Sequence, residues 1–141
     1  MGAMTTMDGQ TFQNSGNSDA NLPAISASEF DALVEMVGAD MPEVLLDLLD
    51  TYLEESTSLV DAIHTGLRQG DLSSMLRPAH SLKSSSASIG AMRLSKLCSD
   101  LETHLRGSLP GLDVPKQVQL IEHEFARVHS ALMIEKEKLR A

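Results

Sequence analysis

The chain has 141 residues, 42% of them apolar but only 3% aromatic, so one core of Leu, Met, Val and Ala is expected, and that composition favours helices over strands. A net charge of −9 argues against nucleic-acid binding, which needs clustered Lys and Arg. The single cysteine, Cys98, excludes an internal disulfide and fits a reducing compartment. No apolar run approaches the ~20 residues of a membrane span, and no basic-then-apolar leader opens the chain, so direct membrane contact is not expected and a cytoplasmic location is.

Residues 1–22 are rich in Gly, Ser, Thr, Asn and Gln, lack apolar periodicity and read as a disordered segment. Their opening, Met1-Gly2-Ala3-Met4, has the look of a tag remnant. Residues 23–141 read as one helical domain. Ser26-Ala27-Ser28-Glu29 has capping-box form and predicts a short first helix through Val37, broken by Gly38. Asp40 is placed to cap a second helix with Pro42 in its first turn. In that helix Leu45, Leu49, Tyr52, Ser56, Leu59, Ile63 and Leu67 recur at helical spacing, and it is expected to end between Gly66 and Gly70.

Asp71 is placed to cap a third helix that runs to about Ile89, where Gly90 stops it. Pro78 falls inside this span and predicts a kink just before His80. A fourth helix carries Leu94, Leu97, Cys98, Leu101 and Leu105 in one stripe. Gly107 to Pro115 reads as a loop, and a last helix carries Val118, Ile121, Phe125, Val128 and Leu132 before fraying into a charged tail. Each longer helix has one apolar face and the connections are short, so an all-α, antiparallel up-down four-helix bundle with a short extra N-terminal helix is the expected fold.

The third helix carries the chemistry. At about 100° per residue, Leu72, Met75, Ala79, Leu82, Ser86 and Ile89 share the core side. Ser73, Arg77, His80, Ser84 and Ala87 share the other, with Lys83 near its edge. No Asp or Glu lies between Asp71 and Asp100, where Arg77, Lys83, Arg93 and Lys96 stand. The chain is acidic overall and basic around one histidine, a setting that favours a phosphoryl group there and an acidic partner surface, although a solvated helix face can also fluctuate this far. An unperturbed imidazole titrates near about 6.5, so a neutral ring is available as a nucleophile at pH 7. Small residues one and two turns on, Ser84 and Ala87, leave room for in-line approach, and Lys83 can neutralise charge on a transferred group. Arg77 and Lys83 are expected to favour the neutral ring.

The stretch Ala79-His80-Ser81-Leu82-Lys83, continuing to Gly90-Ala91, with Leu94 and Leu101-Glu102 beyond, resembles the histidine-containing phosphotransfer (HPt) domain of multistep two-component phosphorelays. The resemblance covers the helical layout of residues 26–138 and implies a four-helix bundle. It implies that His80 accepts a phosphoryl group from a receiver-domain aspartate and passes it to another, with Lys83 as its charge partner. Arg77, Ser84 and Ala87 would then lie at the receiver interface. Glycine is usual in the family where Ser84 stands; its hydroxyl would either crowd the ring or hydrogen-bond the phosphoryl group. No Gly-rich phosphate loop is present, which points to a carrier with no nucleotide site of its own. No cofactor is expected on this chain, Mg²⁺ belonging to the partner receiver. A parent hybrid histidine kinase, itself in the inner membrane, is a further expected partner, and the chain's end soon after the last helix fits its C-terminal module.

Two alternatives stay open. One is an adaptor that binds a receiver or a kinase without transfer, although the presence of both His80 and Lys83 argues against it. The other is the phosphoacceptor module of a chemotaxis-type kinase, which further kinase domains would normally follow. No metal site is expected: His123 and His129 point to different faces, and Asp100 with His104 lacks a partner pair. Cys98 is expected to be a packed small hydrophobe, Met36, Met41, Met75 and Met92 core or near-core filling, and Glu122, Glu124, Glu135 and Glu137 a solvated face.

Overall fold

The computed structural model describes residues 22–141, so the expected disorder of the first residues lies almost wholly outside them. Five α-helices are present among the described residues: α1 (Ala27–Val37), α2 (Pro42–Arg68), α3 (Leu76–Ser88), α4 (Met92–Leu105) and α5 (Val114–Arg140), with a short 3-10 turn (Leu72–Met75) leading into α3. Cross-contacts fix their directions. Tyr52 meets Ser86 between α2 and α3. His80 meets Glu102 between α3 and α4, and Leu97 meets Gln117 between α4 and α5. His64 meets Glu122, and Asp50 meets Lys136, between α5 and α2. Sequential neighbours are antiparallel and the last helix returns to the first of the four, the expected up-down bundle. α1 lies across the end that holds the α3–α4 turn, where Ser26 N–H donates to the Gly90 carbonyl at 2.8 Å.

The core follows the apolar stripes. Leu49, Ile63, Met75, Leu82, Leu94, Leu101, Ile121 and Leu132 are fully buried. On α2 the stripe turns slightly from the expected one: Leu53 and Val60 are buried, whereas Leu59 and Leu67 are only partly so. Among the four methionines expected near the core, only Met75 is buried; Met36, Met41 and Met92 are 79%, 44% and 45% exposed. Leu72, expected on the core side, is 44% exposed because it sits in the 3-10 turn, outside the α-helical register of α3. Cys98 is buried in the core, and burial pushes its thiol up to about 12, so it packs as a hydrophobe.

Helix ends explain further departures. Neither Ser26 nor Asp40 caps through its side chain: Ser26 Oγ pairs with Ser28 Oγ, and the N-cap of α2 is Met41, with Pro42 opening the helix. Asp71 does cap, accepting from Ser74 N–H. Pro78 falls in the first turn of α3, where the backbone N–H has no intrahelical partner to lose, so the expected kink is replaced by the change from 3-10 to α geometry at Leu76. The last helix stays helical to Arg140, against the expected fraying.

Gly66, inside α2, is where the 3-10 turn comes closest. A Cβ there would stand 2.5 Å from Met75 Cγ and 2.7 Å from Ser74 Oγ. In an open helix interior, replacing Gly by Ala stabilises by about 1 kcal/mol. Here Gly66→Ala is expected to lower stability instead, read as a reduced urea midpoint with unchanged helical circular dichroism. A raised midpoint would contradict the close approach.

Candidate functional site

The site is built where α3 and α4 run side by side. Both helices leave the Gly90 turn, where the backbone has φ +89° and the chain reverses. Residues roughly equidistant from that turn come level, which sets His80 beside Glu102. The pairing of the helices is fixed close by: Ser95 Oγ on α4 donates to the Lys83 carbonyl on α3 at 2.8 Å.

His80 lies on the exposed face of α3, its side chain 54% exposed. Arg77, Ser81, Ser84 and Ser88 are also exposed, while Ala87 and Lys83 are half-buried. Four of the five expected site residues, Arg77, His80, Ser84 and Ala87, thus share one face, with Lys83 on its flank against α4. Arg77 forms no salt bridge among the described residues, and Ser84 Oγ makes no hydrogen bond among them.

The charge closest to the ring is an acid. Glu102, on α4, is 5% exposed and sits beneath His80. Its Oε2 accepts from His80 Nδ1 at 2.7 Å and from Arg106 Nε at 3.1 Å, with Arg106 Nη2 in ion contact at 3.0 Å. Its Oε1 takes the Lys83 ammonium at 2.7 Å. A buried carboxylate is tolerated only when paired, and this one has a donor on each side. The Lys83 hydrogen bond, with those of His80 and Arg106, outweighs burial and holds the Glu102 carboxyl at about 2, well below the ordinary 4.5.

Two consequences follow for the imidazole. A carboxylate can only accept, so Nδ1 carries a proton, and in the neutral ring the other nitrogen, Nε2, keeps its lone pair. The ring is also held in one orientation from below. Sequence reasoning named Leu101-Glu102 within its motif but gave Glu102 no role. The available signal was position: Glu102 borders the apolar stripe of the fourth helix and is level with His80 across the Gly90 turn.

A shallow groove runs along the other flank of α3, against α2. Near His80 it is lined by Glu54, Glu55, Ser58, Leu59 and Ser81; further along, by Leu48, Thr51, Ser85, Ser88 and Ile89. Leu48 and Val44 are 38% and 42% exposed on this side of α2. The surface beside the histidine is therefore acidic and apolar on the α2 flank, while on the α4 flank Arg106 stands at its edge.

Three of the four remaining histidines have local partners. His64 pairs with Glu122 at 2.8 Å, His104 Nδ1 donates to the Leu109 carbonyl at 2.6 Å, and His129 stacks edge-on with Phe125. Glu124, expected on a solvated face, is 2% exposed and held by Arg127 at 2.8 Å, with Arg93 beside it at 3.5 Å. Its hydrogen-bonded cation, Arg127, stands one turn on in the same helix; what the periodicity of α5 alone does not show is the packing of α4, with Arg93, over this acid. Among the described residues no cluster of His, Cys, Asp and Glu is placed to hold a metal ion, and no helix is long and apolar enough to cross a membrane.

Comparison with known proteins places the chain in a family. The sequence profile of the Hpt domain matches residues 47–131, and the chain belongs to that family, whose members transfer phosphoryl groups in two-component phosphorelays. The fold is similar to histidine-containing phosphotransfer protein B (HptB) from Pseudomonas aeruginosa PAO1. That match has a TM-score of 0.73 and 28% identity, and covers 84% of this chain and 98% of that one. It is also similar in fold to the HPT domain of a sensor hybrid histidine kinase from Shewanella, with a TM-score of 0.68 and 24% identity, over 86% of this chain and 100% of that one. No curated protein matches the chain.

Because folding depresses the Glu102 carboxyl, its contribution to stability is complete above its ordinary value of 4.5 and is lost as pH falls towards about 2. Urea midpoints of the wild type and Glu102→Gln are expected to differ at pH 7 and to converge across that window. A gap that stays constant from pH 7 to pH 2.5 would contradict the ion cluster.

Proposed function

We propose that His80 is the phosphoryl acceptor of this phosphotransfer domain and that Nε2 is the reacting nitrogen. The observation that supports this most strongly is the 2.7 Å contact from His80 Nδ1 to the buried Glu102, on a ring whose other side is exposed. The Nε2 lone pair attacks the phosphorus of a receiver's aspartyl phosphate. The N–P bond forms as the acyl O–P bond breaks, and the aspartate leaves as a carboxylate. The proton stays on Nδ1, so the ring becomes cationic, and Glu102 faces that charge directly. Lys83 supplies positive charge for the phosphoryl oxygens. Return to a second receiver aspartate is the same path reversed.

In this reading the partners are receiver domains, one of them in a parent hybrid histidine kinase, and the exchange takes place in the cytoplasm. The divalent cation of the reaction is held by the receiver. The receiver covers Arg77, Ser84 and Ala87 and reaches over the α2 flank, where exposed Leu48 and Val44 offer apolar contact. The small side chains at positions 84 and 87 let its aspartate come in line with Nε2. Ser84 in place of glycine leaves its hydroxyl free to meet the phosphoryl oxygens.

The test is phosphotransfer from a panel of phosphorylated receiver domains to the wild type and to His80→Gln. Acid-labile, base-stable label is expected on the wild type alone. The variant's melting temperature should stay within about 2 °C, because the site is exposed and the Gln amide can still donate to Glu102. Label persisting on His80→Gln would contradict the assignment. Tight receiver binding without label on the wild type would favour the adaptor reading.

A further inference from the structure

We infer that Arg106 is a positioning residue for phosphoryl transfer: by staying on the Glu102 carboxylate it releases Lys83 to move onto the phosphoryl group. The inference rests on the reading of His80 as phosphoryl acceptor.

Two full cations share one buried carboxylate, on different oxygens. Lys83 Nζ takes Oε1 at 2.7 Å, and Arg106 places both Nε and Nη2 on Oε2, at 3.1 and 3.0 Å. In the resting protein Lys83 is therefore committed to Glu102. A phosphoryl group on Nε2 brings new negative charge one helical turn from Lys83, whose flexible four-carbon stem can carry the ammonium there. To make that move Nζ must leave Oε1. Were Lys83 the only cation on Glu102, its departure while the ring is still neutral, before the N–P bond has formed, would strip a carboxylate that is 5% exposed, a heavily penalised state.

Arg106 removes that obstacle. It lies one turn after Glu102 on α4, and its guanidinium donates from Nε to Oε2 while Nη2 stands in ion contact with the same oxygen. Glu102 then faces two positive partners in both states. Before transfer, Glu102 faces Lys83 and Arg106, with a neutral ring donating to it. After transfer it faces Arg106 and the cationic ring, and Lys83 faces the phosphoryl oxygens. Arg106 does not need to touch the reacting atoms, and its side chain is 54% exposed at the rim of the site.

The experiment is a double-mutant cycle on Arg106→Gln and Lys83→Met. Its readout is the rate of phosphotransfer from a phosphorylated receiver domain that labels the wild type, with circular dichroism as the check of fold. Arg106→Gln is expected to slow transfer by about tenfold or more without changing the half-saturating receiver concentration. In the Lys83→Met background the same change should cost less than about threefold, because no lysine remains to be released. Arg106→Lys should recover part of the rate. An equal fold-loss in both backgrounds would overturn the inference, as would a full rate in Arg106→Gln. Absence of label on wild-type His80 with every receiver would instead overturn the acceptor reading on which it rests.

Discussion

The Glu102 carboxylate is the interaction on which the site depends. It is buried between α3 and α4, its two oxygens are divided among His80, Lys83 and Arg106, and each partner is constrained by the others. Removing any one leaves the same buried charge less well paired, so the cluster behaves as a unit. Its effect on the histidine is specific. A full negative charge 2.7 Å from Nδ1 settles which nitrogen carries the proton and leaves the lone pair on the other. A carrier needs this: the nucleophile must present a lone pair, and the ring must tolerate the positive charge that appears once the N–P bond has formed.

The bundle supplies the rigidity that this arrangement requires. α3 is short, but its buried face holds Ala79, Leu82 and Ser86, and Ser86 is tied to Tyr52 of α2 by a 2.9 Å hydroxyl contact. On its other flank, the Ser95 bond to the Lys83 carbonyl keeps α3 in step with α4. The histidine thus stands on an element clamped from both sides, while the residues around it are small or polar. A site of this kind suits transient contact with another protein better than enclosure of a small substrate, since the groove beside it is shallow and open to the α2 flank.

Most of the fold was legible because it depends on period and punctuation. The stripes of α4 and α5, the Gly38 and Gly90 breaks and the antiparallel order all follow from the sequence, and so does the exposed face with His80, Arg77 and Ser84. What was not legible came from contacts between helices and from the exact start of one. Leu72 and Pro78 were misplaced because the third helix begins as a 3-10 turn, a change of period that Asp71 capping does not reveal. Glu124 reads as solvated from α5 alone because the helix that covers it, α4 with Arg93, is distant in sequence. Glu102 was hidden for the same reason: an acid reads as surface until the hairpin brings a histidine and a lysine onto it. Two acids that looked ordinary are thus the two most buried charges on α4 and α5.

The central claim is that Glu102 fixes the proton on Nδ1 of His80 and makes Nε2 the reacting atom. It is tested most directly by nitrogen and phosphorus NMR of histidine-¹⁵N-labelled protein. Phosphorylation would come from a receiver domain in catalytic amount, with acetyl phosphate as donor. The account predicts a single phosphohistidine, with phosphorus coupled to Nε2 of His80 and the Nδ1 proton retained. Phosphorus on Nδ1, or on a different histidine, would contradict it.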